Sequence, residues 1–194
     1  MGTSQVRSAL EAAASRNYWN TGNLPEDLEG VVPEIAVETD LMKAIAYQES
    51  SWRSSVVSCD GGIGLMQITI NKSLDLDTAQ WMNDRYGTNY DVTTVDGNVA
   101  LGAELIEYEI MYFVLNYQFK LPDSPKGTID FDLDAVASVG PGKSELVLRD
   151  VVIAAYNVGI WNIIQSDGSL KIINPSYLNG VKDKIASACD GHCT

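Results

Sequence analysis

Residues 39–52 read TDLMKAIAYQESSW, and this stretch constrains the fold more than any other. Thr39 and Asp40 are typical of a helix start, because their side-chain oxygens accept hydrogen bonds from the free backbone N–H groups of a first turn. Apolar residues then recur at helical spacing, at Leu41, Ala44, Ile45 and Trp52. The pattern predicts a short amphipathic helix that ends near Ser50 and buries one side.

Helical patterns continue on both sides of this stretch. The longest covers Asn98 to Phe119 and is apolar on nearly all sides, so we expect it at the centre of the domain. Leu121 to Lys143 is rich in proline and glycine and is expected to be irregular, with a short hairpin. Strand-type alternation is weak throughout, so the predicted fold class is mostly α. Further helices are predicted over Gln5–Arg16, Pro25–Ala36, Glu145–Tyr156 and Pro175–Ala188.

Composition and charge exclude several classes of function. The chain has 194 residues, 45% of them hydrophobic, which is enough for one domain with a buried core. Its net charge of -13 repels phosphate backbones and anionic lipid, so nucleic acid and membrane surfaces are poor partners. The longest uncharged stretch, Val151 to Ser166, is too short and too polar to span a bilayer. We expect a monomer.

The cysteines leave two interpretations open. Cys59, Cys189 and Cys193 lack zinc-ligand spacing, and His192 is the single histidine, so we predict no metal site and no cofactor. In the first interpretation, Cys59 forms a disulfide with one of the two C-terminal cysteines. In the second, all three cysteines are reduced and buried. A disulfide fits an exported protein. No signal peptide is visible at the start, and we expect that a leader has been removed from a secreted or extracytoplasmic chain.

Glu49 is the candidate catalytic residue. It follows Ile45 by four positions, so it lies at the margin of the apolar stripe and near the C-terminal end of the predicted helix. Partial burial and the negative end of the helix dipole both disfavour an ionised carboxylate, so we expect both to raise its pKa. A carboxylic acid that stays protonated near neutral pH can protonate a glycosidic oxygen.

Three motifs in order, the first of them containing Glu49, resemble those of a known family. Residues 49–52 (ESSW), 64–68 (GLMQI) and 154–159 (AAYNVG) resemble the soluble lytic transglycosylases, relatives of goose-type lysozyme in glycoside hydrolase family 23. Residues 98–102 (NVALG) resemble the central helix of that family. The resemblance implies a lysozyme-like domain over residues 38–194, with residues 1–37 as a helical extension packed on it.

The resemblance also implies roles for individual side chains. Glu49 looks like the acid and base, Ser50 like the group that orients it, and Tyr156 like the tyrosine that approaches the catalytic carboxyl. Met66, Gln67 and Asn157 look like substrate-binding or orienting residues. The alternatives are water-facing positions for Ser50 and Gln67, core packing for Met66 and Tyr156, and a helix-stopping role for Asn157.

The implied reaction depends on whether a second carboxylate is present. Asp60 is the single acidic residue in the loop before the GLMQI motif, whereas two-carboxylate glycosidases need a second acid for water or covalent attack. This favours a lytic transglycosylase that cleaves the bond between N-acetylmuramic acid and N-acetylglucosamine in a peptidoglycan glycan strand and leaves a 1,6-anhydro sugar. The alternatives are a hydrolytic muramidase assisted by Asp60, a non-catalytic glycan-binding module, and a chitin-directed enzyme.

Overall fold

The computed structural model describes residues 2–16, 37–117, 119 and 132–187. The predicted helix over 25–36, residues 121–131 of the predicted irregular segment, Cys189, His192 and Cys193 lie outside these residues. The fold is mostly helical, as predicted. In chain order the helices are α1 Thr3–Ala14, α2 Thr39–Ser50, α3 Thr78–Tyr86, α4 Val95–Tyr117, α5 Leu148–Val158, α6 Ile160–Ile163 and α7 Pro175–Ala186.

The chain forms two compact units. The first takes in α1, α2, α3, the part of α4 up to Leu105 and the part of α7 from Gly180 onward. The second takes in the rest of α4, from Ile106, together with α5, α6 and the start of α7 up to Asn179. The predicted boundary between residues 37 and 38 stays a prediction, and α1 and α2 belong to the same unit.

Helix α2 agrees with the predicted pattern except at its first residue. It ends at Ser50, and the apolar stripe at Leu41, Ala44 and Ile45 is fully buried. The predicted start is wrong by one residue, because Glu38 occupies the capping position and no side chain caps the helix there. Thr39 and Asp40 lie in the first turn instead, where the Asp40 carboxylate interacts favourably with the helix dipole.

Helix α1 packs against α2 within the first unit. Its buried side chains include Val6 and Leu10, and the contact also holds an ion pair. The Lys43 Nζ atom on α2 lies 2.8 Å from the Glu11 Oε1 atom on α1, and the Lys43 side chain is nearly buried. Breaking such a partly buried pair on one side would leave an uncompensated charge, so it fixes the register of the two helices.

Two small antiparallel sheets complete the described fold. One has the strand order β1 (Gly62–Ile63), β2 (Ile68–Asn71) and β3 (Leu76–Asp77). In the other, β4 (Val136–Ala137) pairs with β5 (Leu146–Val147). The hairpin therefore extends beyond the segment where it was predicted. The predicted helical start at Glu145 is wrong, because α5 begins only at Leu148, after β5.

Helix α4 buries acidic side chains among its apolar ones. Glu104 and Glu107 are 0% exposed and Glu109 is 2% exposed. Burial raises the pKa of Glu109 well above its ordinary value. Burial also raises the pKa of Glu104 to about 7, although a hydrogen bond with Thr88 acts in the opposite direction. Desolvation therefore favours the neutral form of Glu104 and of Glu109.

Thr88 lies between Glu104 and a second acceptor. The Thr88 Oγ1 atom lies 3.2 Å from Glu104 Oε1 and 3.0 Å from Asn83 Oδ1. A hydroxyl carries one proton, so it donates to one of these oxygens at a time. Donation to Glu104 lowers the pKa of this carboxyl, whereas burial raises it by more, so desolvation and not Thr88 favours the neutral acid.

We predict that Glu104→Gln changes how stability depends on pH. Between pH 4.5 and about 7 the unfolded chain has lost the Glu104 proton while the folded chain retains it. The contribution of Glu104 to the free energy of unfolding therefore falls by about 1.4 kcal/mol per pH unit as the pH rises through this window. The variant lacks this contribution, so the stability difference between the two chains shifts in favour of the variant as the pH rises.

Urea unfolding between pH 4.5 and 8 measures this difference. Glu145→Gln, at an exposed position, is the matched control and should follow the parent curve. A constant difference between Glu104→Gln and the parent across the window would contradict the prediction.

Candidate active site

Glu49 lies in the last turn of α2, where its side chain is half-buried. The chain then turns sharply, since Ser51 and Trp52 both adopt left-handed backbone conformations, with φ of 51° and 57°. The Trp52 indole folds back beneath the helix and donates from Nε1 to the Lys43 carbonyl at 3.1 Å. Trp52 is buried, as its place in the apolar stripe predicted. This turn fixes the position of the Glu49 backbone.

The carbonyl groups at the end of α2 find partners in the following turn. The Ser51 N–H donates to the Tyr47 carbonyl at 2.8 Å. The Ser50 carbonyl accepts from the backbone N–H of Arg53 at 3.1 Å and from its Nε atom at 3.0 Å. A helix end whose free carbonyls are bonded in this way resists fraying. Glu49 is thus attached to a well-formed helix end.

Ser50 is buried, so the alternative of a water-facing serine is wrong. Its hydroxyl donates to the Ala46 carbonyl at 3.0 Å. Because a serine hydroxyl has one proton, Ser50 in this arrangement can only accept a hydrogen bond from a neighbouring group. An orienting role toward Glu49 therefore requires that Glu49 be protonated and act as the donor.

Helix α7 holds the residues that immediately precede Glu49. Its Lys184 Nζ atom donates to Gln48 Oε1 at 2.8 Å and lies 5.7 Å from the centre of the Tyr47 ring. Gly180 makes this approach possible, because a Cβ atom there would lie 2.7 Å from Gln48 Oε1. Sequence reasoning missed Gly180 and Lys184. Gly180 and Lys184 are four residues apart, so the sequence indicates that they share one face of a helix. This spacing does not reveal that the face contacts Gln48.

The GLMQ turn, residues 64–67, is fixed by one buried side chain on α4. The Asn98 Oδ1 atom accepts from the Met66 N–H at 2.9 Å, and its Nδ2 atom donates to the Ile63 carbonyl at 2.8 Å and the Val92 carbonyl at 3.1 Å. Gly64 has a φ of +75°, and a Cβ atom there would lie 2.7 Å from Asn98 Nδ2. Glycine is required here both by the backbone conformation and by the close approach.

Met66 is fully buried, which confirms the packing alternative for this residue. Its side chain packs over Gly102 on α4, where a Cβ atom would lie 2.6 Å from Met66 Cγ. The missing side chain at residue 102 therefore makes room for the methionine. Met66 holds the GLMQ turn against α4 and does not present its sulfur at the surface.

Gln67 uses its amide to close the loop that leads back toward α2. Its Nε2 atom donates to the Gly64 carbonyl at 2.8 Å and to the Val56 carbonyl at 3.3 Å. Its backbone is left-handed, with a φ of 48°, and these bonds help to hold that uncommon conformation. With both donor hydrogens engaged, Oε1 is the atom that Gln67 can offer to a ligand.

Asp60 is exposed on the loop between Val56 and the GLMQ turn. A hydrogen bond from the Ser58 hydroxyl lowers the pKa of Asp60 below its ordinary value, so this carboxylate is ionised at neutral pH. The neighbouring Cys59 is an exposed free thiol, so both interpretations are wrong for this residue, which is neither in a disulfide nor buried. An exposed, ionised carboxylate can accept a proton but is a poor proton donor.

The remaining candidate residues lie on α5 in the second unit. Tyr156 and Asn157 are both half-buried, and Asn157 Oδ1 accepts from Asn174 Nδ2 at 2.7 Å. The helix ends one residue after Asn157, and Gly159, with a φ of 84°, follows it. The structure thus places Glu49, Ser50, Asp60, Met66 and Gln67 in the first unit and the α5 pair in the second.

Comparison with protein families decides the classification. The model of the transglycosylase SLT domain matches residues 34–172, which is well over half of the chain and includes both Glu49 and the α5 pair. The chain belongs to this family. Members of the SLT family are peptidoglycan lytic transglycosylases that cleave glycosidic bonds in the extracytoplasmic space, and this SLT domain shares that general activity and substrate.

The other comparisons add no relative to this SLT domain, since no curated protein and no solved structure matches it. Within the described ranges, none of its helices has the length and apolar character needed to cross a bilayer. The same ranges contain no cluster of three or more histidine, cysteine, aspartate or glutamate side chains that could hold a metal ion.

We predict that Gly64→Ala destabilises this SLT domain by about 2–5 kcal/mol. The left-handed conformation costs a non-glycine residue about 1–2 kcal/mol, and the collision with Asn98 adds a further overpacking cost of about 1–3 kcal/mol. Gly168→Ala is the matched control, because Gly168 has a similar φ of +79° but open space where the Cβ atom would lie.

The difference between the two variants in urea unfolding isolates the collision with Asn98. Equal losses of stability in both variants would show that Asn98 does not confine the GLMQ turn.

Proposed function

We propose that this SLT domain cleaves the β-1,4 bond between N-acetylmuramic acid and N-acetylglucosamine, with Glu49 as its single acid and base and a 1,6-anhydro sugar as product. The observation that carries the proposal is the position of Glu49. It is a half-buried carboxyl on a helix end that is held by several hydrogen bonds, within the segment that matches the family.

Two proton transfers at Glu49 complete the proposed reaction. The protonated carboxyl first donates to the glycosidic oxygen, and the bond from that oxygen to the muramyl C1 atom breaks. The acetamido group of the substrate stabilises the cationic C1. The ionised Glu49 then removes the proton from the muramyl 6-hydroxyl, whose oxygen bonds to C1. Glu49 ends protonated, as it began, and no water is consumed.

This mechanism requires one carboxyl to stay in place through both steps. Three contacts restrain the helix end that carries it, namely the Trp52 indole on Lys43, the Arg53 side chain on Ser50 and the Lys184 ammonium on Gln48. Precise positioning of this kind accounts for a large share of catalytic rate enhancement, because it removes the entropic cost of orientation from the reacting step. The buried Ser50 hydroxyl accepts from the carboxyl in its protonated state.

The other candidate side chains are proposed to hold the glycan strand. Gln67 Oε1 is suited to accept from a sugar N–H or hydroxyl while the Nε2 group stays on the loop. Asn157 keeps its amide N–H groups for the sugar, since its oxygen is occupied by Asn174. Tyr156 supplies a phenol, as the resemblance to the family implies. We further propose that the protein is exported and acts as a monomer.

Glu49→Gln is expected to reduce the release of fragments from purified sacculi by at least about 10²-fold, because the amide can neither donate nor accept the required proton at neutral pH. Asp40→Asn on the same helix makes the same change from acid to amide at an exposed position and should leave the rate unchanged. If Glu49→Gln clears sacculi as fast as the parent, Glu49 is not catalytic. A non-catalytic module would show no cleavage in any of the three proteins.

The hydrolytic alternative rests on Asp60, whose ionised carboxylate could activate a water molecule. We predict that Asp60→Asn retains most of the activity, within about threefold, and that both the variant and the parent release anhydro-muropeptides. Mass spectrometry identifies these products, which are lighter than reducing-end products by one water. Reducing-end products alone, lost in Asp60→Asn, would establish a muramidase instead.

A further inference from the structure

Trp161 is an unusually exposed aromatic residue. It lies on the short helix α6, two residues after Gly159, and 73% of its surface is exposed. Exposed apolar surface that is continuous with neighbouring side chains marks binding sites, and tryptophan is among the residues most enriched at energetically important contacts. The proposed mechanism assigns no role to Trp161.

The indole ring is supported by aromatic residues of α4, all within the second unit. The Tyr112 and Trp161 ring centres are 5.6 Å apart, with an angle of 76° between the ring planes. Tyr112 in turn contacts Tyr108, Phe113 and Tyr117. Because the contact with Tyr112 is edge-to-face, that ring covers at most one face of the indole. At least one face is left open by this contact.

We propose that Trp161, supported by Tyr112, forms a stacking subsite for an N-acetylhexosamine ring of the glycan strand. This inference rests on the substrate of the proposed function and extends it to a specific residue. The C–H groups on one face of a pyranose ring carry partial positive charge and are attracted to the negative face of an aromatic ring. A flat, uncharged indole therefore matches a sugar ring in both shape and charge.

The place of Trp161 in the chain makes it continuous with the proposed substrate site. Trp161 follows Asn157 by four positions in the sequence, and four residues of extended chain span at most about 14 Å. A strand bound at Asn157 can thus reach the indole within a few sugar rings. Polar amides accompany the aromatic surface at Asn157 and the exposed Asn162, which suits a ligand rich in hydroxyl and N-acetyl groups.

The tyrosines beside the indole add hydroxyl groups that suit the same ligand. Burial and the neighbouring Tyr112 raise the pKa of Tyr117, so its phenol stays protonated and can donate a hydrogen bond across the physiological range. Tyr108 and Tyr112 are half-buried, with part of each ring accessible. Neutral rings and neutral hydroxyls favour an uncharged sugar over a charged peptide as the ligand.

The subsite is tested by measuring how tightly glycans bind to a chain that cannot cleave them. In the full chain carrying Glu49→Gln, we expect Trp161→Ala to bind N-acetylchitohexaose and purified sacculi about three- to tenfold more weakly, which is the range expected for loss of one aromatic contact. Trp161→Phe keeps a ring and should retain most of the affinity. Trp81→Ala removes another exposed tryptophan, in the first unit, and should leave the affinity unchanged.

Intrinsic fluorescence and co-sedimentation with sacculi measure these affinities. With Glu49 restored, Trp161→Ala should raise the KM for sacculi and leave kcat within about twofold, since the subsite holds substrate and takes no part in proton transfer. Retained cleavage by Glu49→Gln would refute the catalytic proposal and leave this inference standing.

Three results would overturn the subsite. The first is unchanged affinity of Trp161→Ala for both probes. The second is an equal loss in Trp81→Ala, which would indicate non-specific adhesion of apolar surface. The third is a change from a self-associated form to a monomer in Trp161→Ala alone, which would assign the indole to a contact between copies of the chain.

Discussion

The candidate site residues in the first unit depend on the hydrogen bonds of one buried side-chain amide, that of Asn98. Three hydrogen bonds join it to the Met66 N–H and to two loop carbonyls, so one side chain fixes the GLMQ turn to the central helix α4. Leaving such backbone groups unpaired in the core would cost about 1–3 kcal/mol each. Gly64 and Gly102 serve the same attachment, because each lacks the Cβ atom that would push the turn away. The GLMQ motif resembles a substrate-binding element of the family, but most of its described contacts hold the turn in place.

The periodicity of apolar residues predicted the helices whose apolar pattern is clear over many residues. The stripe on α2 located the helix end that carries Glu49, and the apolar surface of α4 predicted that most of its side chains are buried. The strands of the first sheet escaped prediction because β1 and β3 have two residues each, too few to show alternation. Thr39 was wrongly assigned as a cap because local propensity does not decide which of three neighbouring polar residues begins the helix. The roles of Asn98 and Lys184 depend on partners distant in sequence, which no local pattern reveals.

Two carboxyls of the first unit illustrate why burial alone does not identify a general acid. Glu104 is fully buried and holds its proton to a pH of about 7, yet its described contacts are with Thr88 and the core, and no substrate can reach it. Glu49 is only half-buried, so it combines partial desolvation with access from outside. Catalysis by proton transfer requires both properties in one group. This comparison supports the proposal that Glu49 is the acid, whereas the subsite proposed at Trp161 would bind substrate without taking part in proton transfer.

The order in which the chain is made bears on the helix end that carries Glu49. The contact from Lys184 to Gln48 joins residues 136 positions apart, and the first unit is interrupted in sequence by the second. During synthesis, α2 is made before α7. The contact between Gln48 and Lys184 therefore cannot form until α7 has been made. Closing so long a loop is entropically costly and slow compared with local helix formation. A partly made chain that has not yet reached Lys184 therefore carries Glu49 without the contact that steadies its helix end.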